Sequence, residues 1–382
     1  IAAASSRNVG KLLVQGLHRM EYRGYDSAGI ALHQEDKVAH LRTLGKVKLL
    51  EEKMIQEKPR SKLGIAHTRW ATHGEPSEIN AHPHKSAERI YIVHNGIIEN
   101  HVELKKELEG KGYAFASQTD SELIAHLIDF YIHTSDSFLD AVFEAKARLE
   151  GAYAIAVLDH QNPESIIIAR QKSPLLIGLG TDENLAASDP LAISQLTNEF
   201  IFLEDGDVAQ FSSDSYEIFD SEKLVVERDV TRLDISSQAT SKGEFRHFME
   251  KEIYEQPQAV LNTIDGRVGA EDVLDNIFGL NSNDIFSKVE RIQIAACGTS
   301  LHAGRVAASW LSAIAELPCQ IDYASEYRYR NPHVDENSLF ITISQSGETA
   351  DTLAALSYAK EKDYLATVGI CNVPTSTLAR ES

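Results

Sequence analysis

The sequence predicts a layered α+β domain over roughly the first 235 residues, followed by an α/β domain built on a parallel, doubly wound sheet. Three observations carry this. Short apolar runs alternate with helical patterns in the first part, but without a regular βαβ rhythm. From residue 289 onward, strand, polar turn and helix follow each other strictly. Between the two parts, DISSQATSKG (234–243) is small and polar, has little to bury, and reads as a linker. The predicted divisions are therefore 1–233, a linker at 234–244, and 245–382 with a leading helical segment.

In chain order, β-like runs fall at 63–66, 90–94, 153–158, 165–169, 200–203 and 208–211. Helical periodicity covers 102–109 and 121–149, then 245–265 with Pro257 inside it. RIQIAA (291–296) is a buried-strand run, followed by CGTS and a helix over 301–317. SLFITI (338–343) leads into SQSGET and a helix over 352–362. A third strand spans 365–373, and Ser376 is placed to N-cap a last helix.

A chain of 382 residues holds about two to three domains of ~150 residues, which excludes a single small binding module. Lys and Arg number 37 and Asp and Glu 57, for a formal net charge of −20. That acidity, with no basic run, argues against nucleic-acid or anionic-membrane binding. It leaves open a small phosphorylated ligand held by local N–H groups. No apolar run approaches the ~18 residues of a membrane span, and no signal peptide opens the chain. The three cysteines, Cys297, Cys319 and Cys371, show no zinc spacing and fit a reducing cytoplasm. The chain begins at Ile1 rather than Met and stops one turn into its last helix, so a processed or cut end is expected on each side.

Chemistry concentrates in a few segments. Thr299 and Ser300 open one helix of the second part; Ser344, Gln345, Ser346 and Thr349 open another. Free N–H groups at a helix start bind phosphate, hydroxyls add donors, and Gly298 and Gly347 permit close backbone approach. The same residues could instead serve only as helix N-caps. In the first part, IAHTRWATHGEP places Arg69 and Trp70 at a strand end, where a guanidinium can grip a carboxylate and an indole can wall a pocket. A surface ion pair beside a core tryptophan fits these two residues as well. His67, His73, His82, His84 and His94 invite a metal reading, but none forms a helical i, i+4 pair with a carboxylate, and no metal site is expected. Asn95 and Gly96 after the strand IYIVH could form an oxyanion hole or a tight hairpin turn. Asp120, in QTDSE, could receive an ammonium group or complement a helix dipole. Thr119 and Glu122 there have capping-box spacing.

Taken together, EYRGYDSAG, LGK, HTRWATHGEPS, NAHPH, HNGIIENH, TDSE, CGTS, SEYRYR, SQSGETADT and ICNVP occur in the order seen in one family. The chain resembles the glutamine–fructose-6-phosphate aminotransferases (isomerising) over essentially its whole length. That resemblance implies an N-terminal-nucleophile glutaminase, a four-layer αββα sandwich, followed by a sugar isomerase (SIS) domain. By the resemblance, Arg69 and Asp120 bind glutamine's carboxylate and amino group, and Thr72 and His73 lie in the loop covering it. Asn95 and Gly96 form the oxyanion hole, Trp70 gates an ammonia passage and Arg23 belongs to the pocket wall. Thr299, Ser300, Ser344, Gln345, Ser346 and Thr349 hold fructose 6-phosphate. No metal or organic cofactor is implied, and a cytoplasmic homodimer is. The family pattern opens Cys-Gly-Ile; alignment on RNV and EYRGYDSAG puts about three residues before Ile1, and a second SIS domain after the last helix. The resemblance thus implies a piece of a synthase that binds ligands without turning them over. Two rival readings are another glutaminase-fused amidotransferase, against which SQSGETADT argues, and a non-catalytic sugar-phosphate sensor.

Overall fold

The computed structural model describes every residue except 22–25, 70–73, 234–244, 266, 269–272, 274–276, 280–281 and 374–375. The chain divides into two units, Ile1–Ser241 and Lys242–Ser382. The expected linker at 234–244 lies outside the described residues, as do Arg23, Trp70, Thr72 and His73.

In the first unit, strand alternation decides the layers. Along the strand Ile90–Ile98, Tyr91 and Val93 enter one core while Ile90, Ile92 and Ile98 enter another. Such two-sided burial requires a layer on each face. The strand sits in an antiparallel sheet whose order is Val225–Val226, Tyr216–Phe219, Val208–Phe211, Ile166–Gln171, Gly151–Asp159, Ile90–Ile98, His84–Ser86. A second antiparallel sheet runs Val230–Arg232, Glu199–Phe202, Leu176–Gly180, Glu183–Ala187, Ala2–Ser5, Leu63–Arg69, Ser27–His33, Val38–Leu44.

The core between the sheets takes Ile65, Ala31 and Ile177 from one and Tyr91, Leu158 and Ile168 from the other. Helices Gly10–Met20 and Val47–Glu57 cover the outer face of the larger sheet through Leu13, Leu17 and Leu50. Helices His101–Gly110, Glu122–Ile132 and Phe138–Lys146 cover the other sheet. The result is the expected four-layer αββα sandwich.

One expectation changes here. The helical pattern over 121–149 is two helices, broken at Ser137. Ser137 is extended, and its Oγ accepts the Asp140 N–H at 3.1 Å, so a side chain replaces the helical bond and starts a new helix.

In the second unit, four parallel strands are ordered Cys319–Tyr323, Arg291–Ala296, Ser338–Ser344, Ala366–Cys371. Phe340 packs with Ala355 and Leu356 of helix Ala350–Lys360. Leu339 and Ile292 pack with Ala308 of helix Gly298–Ile314 on the opposite face. This is a doubly wound sheet. From Arg291–Ala296 the chain moves to one neighbouring strand and then crosses to the other, so the strand order reverses there. The crevice at such a reversal is where open α/β sheets bind ligands. The leading helix is Phe248–Ile264, which keeps Pro257 inside and buries none of its residues.

Ile168 is fully buried between the two antiparallel sheets. Ile168→Ala is expected to lower unfolding free energy by about 2–5 kcal/mol, read from urea denaturation.

Candidate functional site

The strand Ile90–Ile98 positions the first site. Asn95 and Gly96 lie within it, paired with Ala154 and Tyr153, so they form a strand segment and not a hairpin turn. Gly96 has φ +145, and a Cβ there would stand 2.0 Å from the Ala152 carbonyl oxygen. Only glycine permits that approach. Asn95 remains exposed.

Next to this segment, Asp120 is 7% exposed and accepts the Ile98 N–H on Oδ2 at 2.8 Å. Ser121 Oγ donates to its other oxygen at 3.4 Å. Arg69 ends the strand Leu63–Arg69 and is buried to 6% exposure, with Nη2 donating to the Gly74 carbonyl at 3.2 Å. Burial lowers the guanidinium's pKa, against the pull of Asp26 and Asp120. Asn80 supports the Gly74 end of the arrangement. Its amide nitrogen donates to the Glu75 carbonyl (2.9 Å) and Gln118 Oε1 (3.2 Å), and its oxygen accepts the Gln118 N–H at 2.9 Å.

Arg69, His94, Asn95, Gly96 and Asp120 line one cavity of about 320 Å³. That volume is at the small end of ligand pockets. The cavity offers a cation for a carboxylate, an anion for an ammonium group, and an amide with a glycine between them. Such a set is complementary in charge to a free amino acid.

The Thr119–Glu122 capping box does not form. Glu122 accepts instead from the Ala116 and Ser117 N–H groups at 3.0 and 2.6 Å, while Thr119 Oγ1 pairs with His84 Nε2 at 3.1 Å. The preceding loop folds back over the helix start, so Glu122 captures those amides.

Sequence reasoning also missed the histidine packing. The rings of His67 and His82 lie 4.3 Å apart, and those of His82 and His84 4.6 Å apart. Burial drives the pKa of His67, His82 and His94 down, and that of His84 to about 3. These rings are neutral packing groups at pH 7. Their spacing in sequence held no sign of this, because the burial comes from three strands and a loop meeting in space.

In the second unit, the turns after Arg291–Ala296 and Ser338–Ser344 emerge from the same edge of the sheet, since Ala296 pairs with Ile343 in parallel register. Neither hydroxyl group set serves as a simple cap. The N-cap of Gly298–Ile314 is Cys297, half-buried, and that of Ala350–Lys360 is Thr349; neither side chain caps its helix. Ser344 Oγ accepts the Gly347 N–H at 3.1 Å and meets Thr349 Oγ1 at 3.1 Å, and Ser346 Oγ accepts the Glu348 N–H at 3.1 Å. These bonds shape a tight turn around Gly347 (φ +67). Thr299 and Gln345 are exposed, and Ser300 is half-buried. Ser376 does N-cap the last helix, accepting the Ala379 N–H.

Comparison with known proteins finds a matching domain family in each unit. Residues 67–195 match a glutamine amidotransferase domain and residues 285–382 a SIS domain. Glutamine–fructose-6-phosphate aminotransferase (isomerizing) of Haemophilus influenzae is 52% identical over 384 residues, covering 100% of this chain and 63% of that protein. Proteins of the same name from Vibrio parahaemolyticus and Pseudomonas aeruginosa are 51% and 50% identical over 383 residues, with the same coverage. The chain thus spans 63% of the length of these curated relatives. A solved structure of the allosteric regulatory enzyme of purine biosynthesis shares the fold at TM-score 0.50 and 19% identity, over 97% of this chain and 79% of that one. Among the described residues, no helix is long and apolar enough to cross a membrane.

The neutral histidines make stability depend on pH. A histidine whose folded pKa is depressed contributes stability above its unfolded pKa of 6.5, and that contribution is lost as pH falls toward the folded value. His84 is therefore expected to cost about 1.4 kcal/mol per pH unit between 6.5 and 3. Urea unfolding at pH 7 and pH 5 should show the loss, reduced by that slope in His84→Gln.

Proposed function

Taking the chain as related over its full length to the glutamine–fructose-6-phosphate aminotransferases, we propose that it forms the glutamine-binding and sugar-phosphate-binding parts of an enzyme of that activity. The enzyme hydrolyses glutamine and uses the nitrogen to aminate and isomerise fructose 6-phosphate to glucosamine 6-phosphate. The observation that carries the reading is the convergence of Arg69, Asp120, Asn95 and Gly96 on one small cavity. Arg69 grips the α-carboxylate and Asp120 the α-ammonium, which fixes the carboxamide at the far end of an extended amino acid. Asn95 and Gly96 then donate to the oxygen on which negative charge builds as the amide carbonyl is attacked. Ile1–Ser241 contains no cysteine, so the attacking thiolate is assigned to none of its residues. Thr72 and His73 would close over the amino acid, Trp70 would gate the freed ammonia and Arg23 would wall the pocket. These four lie outside the described residues.

In the second unit, Ser344, Gln345, Ser346 and Thr349, with Thr299 and Ser300, receive the phosphate of fructose 6-phosphate. Two helix starts at the strand-order reversal, with the hydroxyls beside them, supply N–H and O–H donors without a buried lysine. That suits a chain with net charge −20. The domain divisions at 1–233 and 245–382, a cytoplasmic location and a homodimer belong to the same proposal.

Calorimetric titration tests both halves. Glutamine is expected to bind the chain and Asp120→Asn to weaken it at least tenfold. Fructose 6-phosphate is expected to bind with Ser346→Ala weakening it about tenfold. Unchanged affinity in either variant would remove the corresponding half of the reading.

A further inference from the structure

The buried surroundings of Asp120 extend the glutamine site by two residues. Ser121 Oγ has one hydrogen, and we assign it to Asp120 Oδ1, 3.4 Å away, because a carboxylate can only accept. The contact of Ser121 Oγ with His94 Nδ1, 2.8 Å, must then be donated by the ring. With that assignment Nδ1 of His94 carries the proton and Nε2 is the lone pair, buried without a hydrogen-bond partner among the described residues. The His94 ring is 3% exposed, and burial keeps it neutral even though the Asp120 charge pulls the other way. Its backbone is pinned as well, since the His94 N–H donates to His82 Nδ1 at 3.4 Å. Asp120 thus has both oxygens engaged by the protein at the cavity wall, one by the Ile98 N–H and one by a two-step relay starting at a rigid strand.

We propose that His94 and Ser121 are positioning residues for glutamine recognition: a His94 Nδ1–H to Ser121 Oγ–H relay holds the Asp120 carboxylate in the orientation that receives the α-ammonium. The proposal rests on the reading of Asp120 given above. A carboxylate left to rotate would still be negative, but it would have to be ordered by the ligand, and that ordering subtracts from affinity. The relay acts on one end of the ligand only. Its loss should therefore weaken molecules with an α-ammonium and spare those without one.

The test is calorimetric titration of the full chain with glutamine and with its des-amino analogue, 4-carbamoylbutanoate. Ser121→Ala and His94→Ala are expected to weaken glutamine about tenfold and to change the analogue's affinity less than twofold. His94→Asn, which keeps an N–H donor near the Nδ1 position, is expected to retain glutamine affinity within about threefold. Equal weakening of glutamine and analogue would show general damage to the pocket and overturn the proposal, as would unchanged glutamine affinity in Ser121→Ala. Asp120→Asn separates the two layers. If it fails to discriminate between the ligands, the reading of Asp120 itself fails; if it discriminates and Ser121→Ala does not, only the relay falls.

Discussion

The close antiparallel approach of Gly96 to the strand Gly151–Asp159 is the constraint on which the first site depends. A side chain at Gly96 would overlap the Ala152 carbonyl, so the strand could not run straight through this point. Because it does run through, Asn95 is presented beside the cavity and the Ile98 N–H is aimed at Asp120. Arg69 reaches the same cavity from the other sheet. The two-sheet sandwich thus brings together groups separated by up to 51 positions, and the apolar core between the sheets holds them at fixed distance. Rigid elements on both sides reduce the ordering that a ligand must pay for.

The two units carry candidate sites of different chemistry. An amino acid has two opposite charges, and in the proposed reading the first unit meets them with one buried cation and one buried anion. Burying ionised groups is costly unless each is paired or hydrogen-bonded. Asp120 has the Ile98 amide and Ser121, and Arg69 has the Gly74 carbonyl. A phosphate is one concentrated negative charge, and in the proposed reading the second unit offers it neutral donors at two neighbouring helix starts. Ser344 and Ser346 spend their oxygens accepting backbone N–H groups, which sets the turn and leaves their hydrogens to point elsewhere.

Much of this was legible in the sequence. Period-two apolar runs located the strands, and the strand–turn–helix rhythm after residue 289 marked the parallel sheet. What was not legible depends on distant partners. Asn95-Gly96 has the local signature of a turn, and only pairing with Ala154 and Tyr153, almost 60 positions downstream, makes it a strand. Glu122 has capping-box spacing, yet it binds Ala116 and Ser117 because the loop returns over it. The helical period over 121–149 is interrupted between Ile132 and Phe138, where the Ser137 side chain starts a second helix. His94 read as one of several candidate metal ligands. Its relay to Asp120 could be found only once the strand and the helix start were adjacent in space.

The central claim is that two separate sets of backbone and side-chain donors, one per unit, recognise an amino acid and a sugar phosphate. Amide-resolved NMR titration of the ¹⁵N-labelled chain reads this most directly. Glutamine is predicted to shift the Gly96 and Ile98 amide resonances, and fructose 6-phosphate those of Thr299, Ser300, Ser346 and Gly347. Shifts confined to other residues, or one ligand moving both sets alike, would contradict the account.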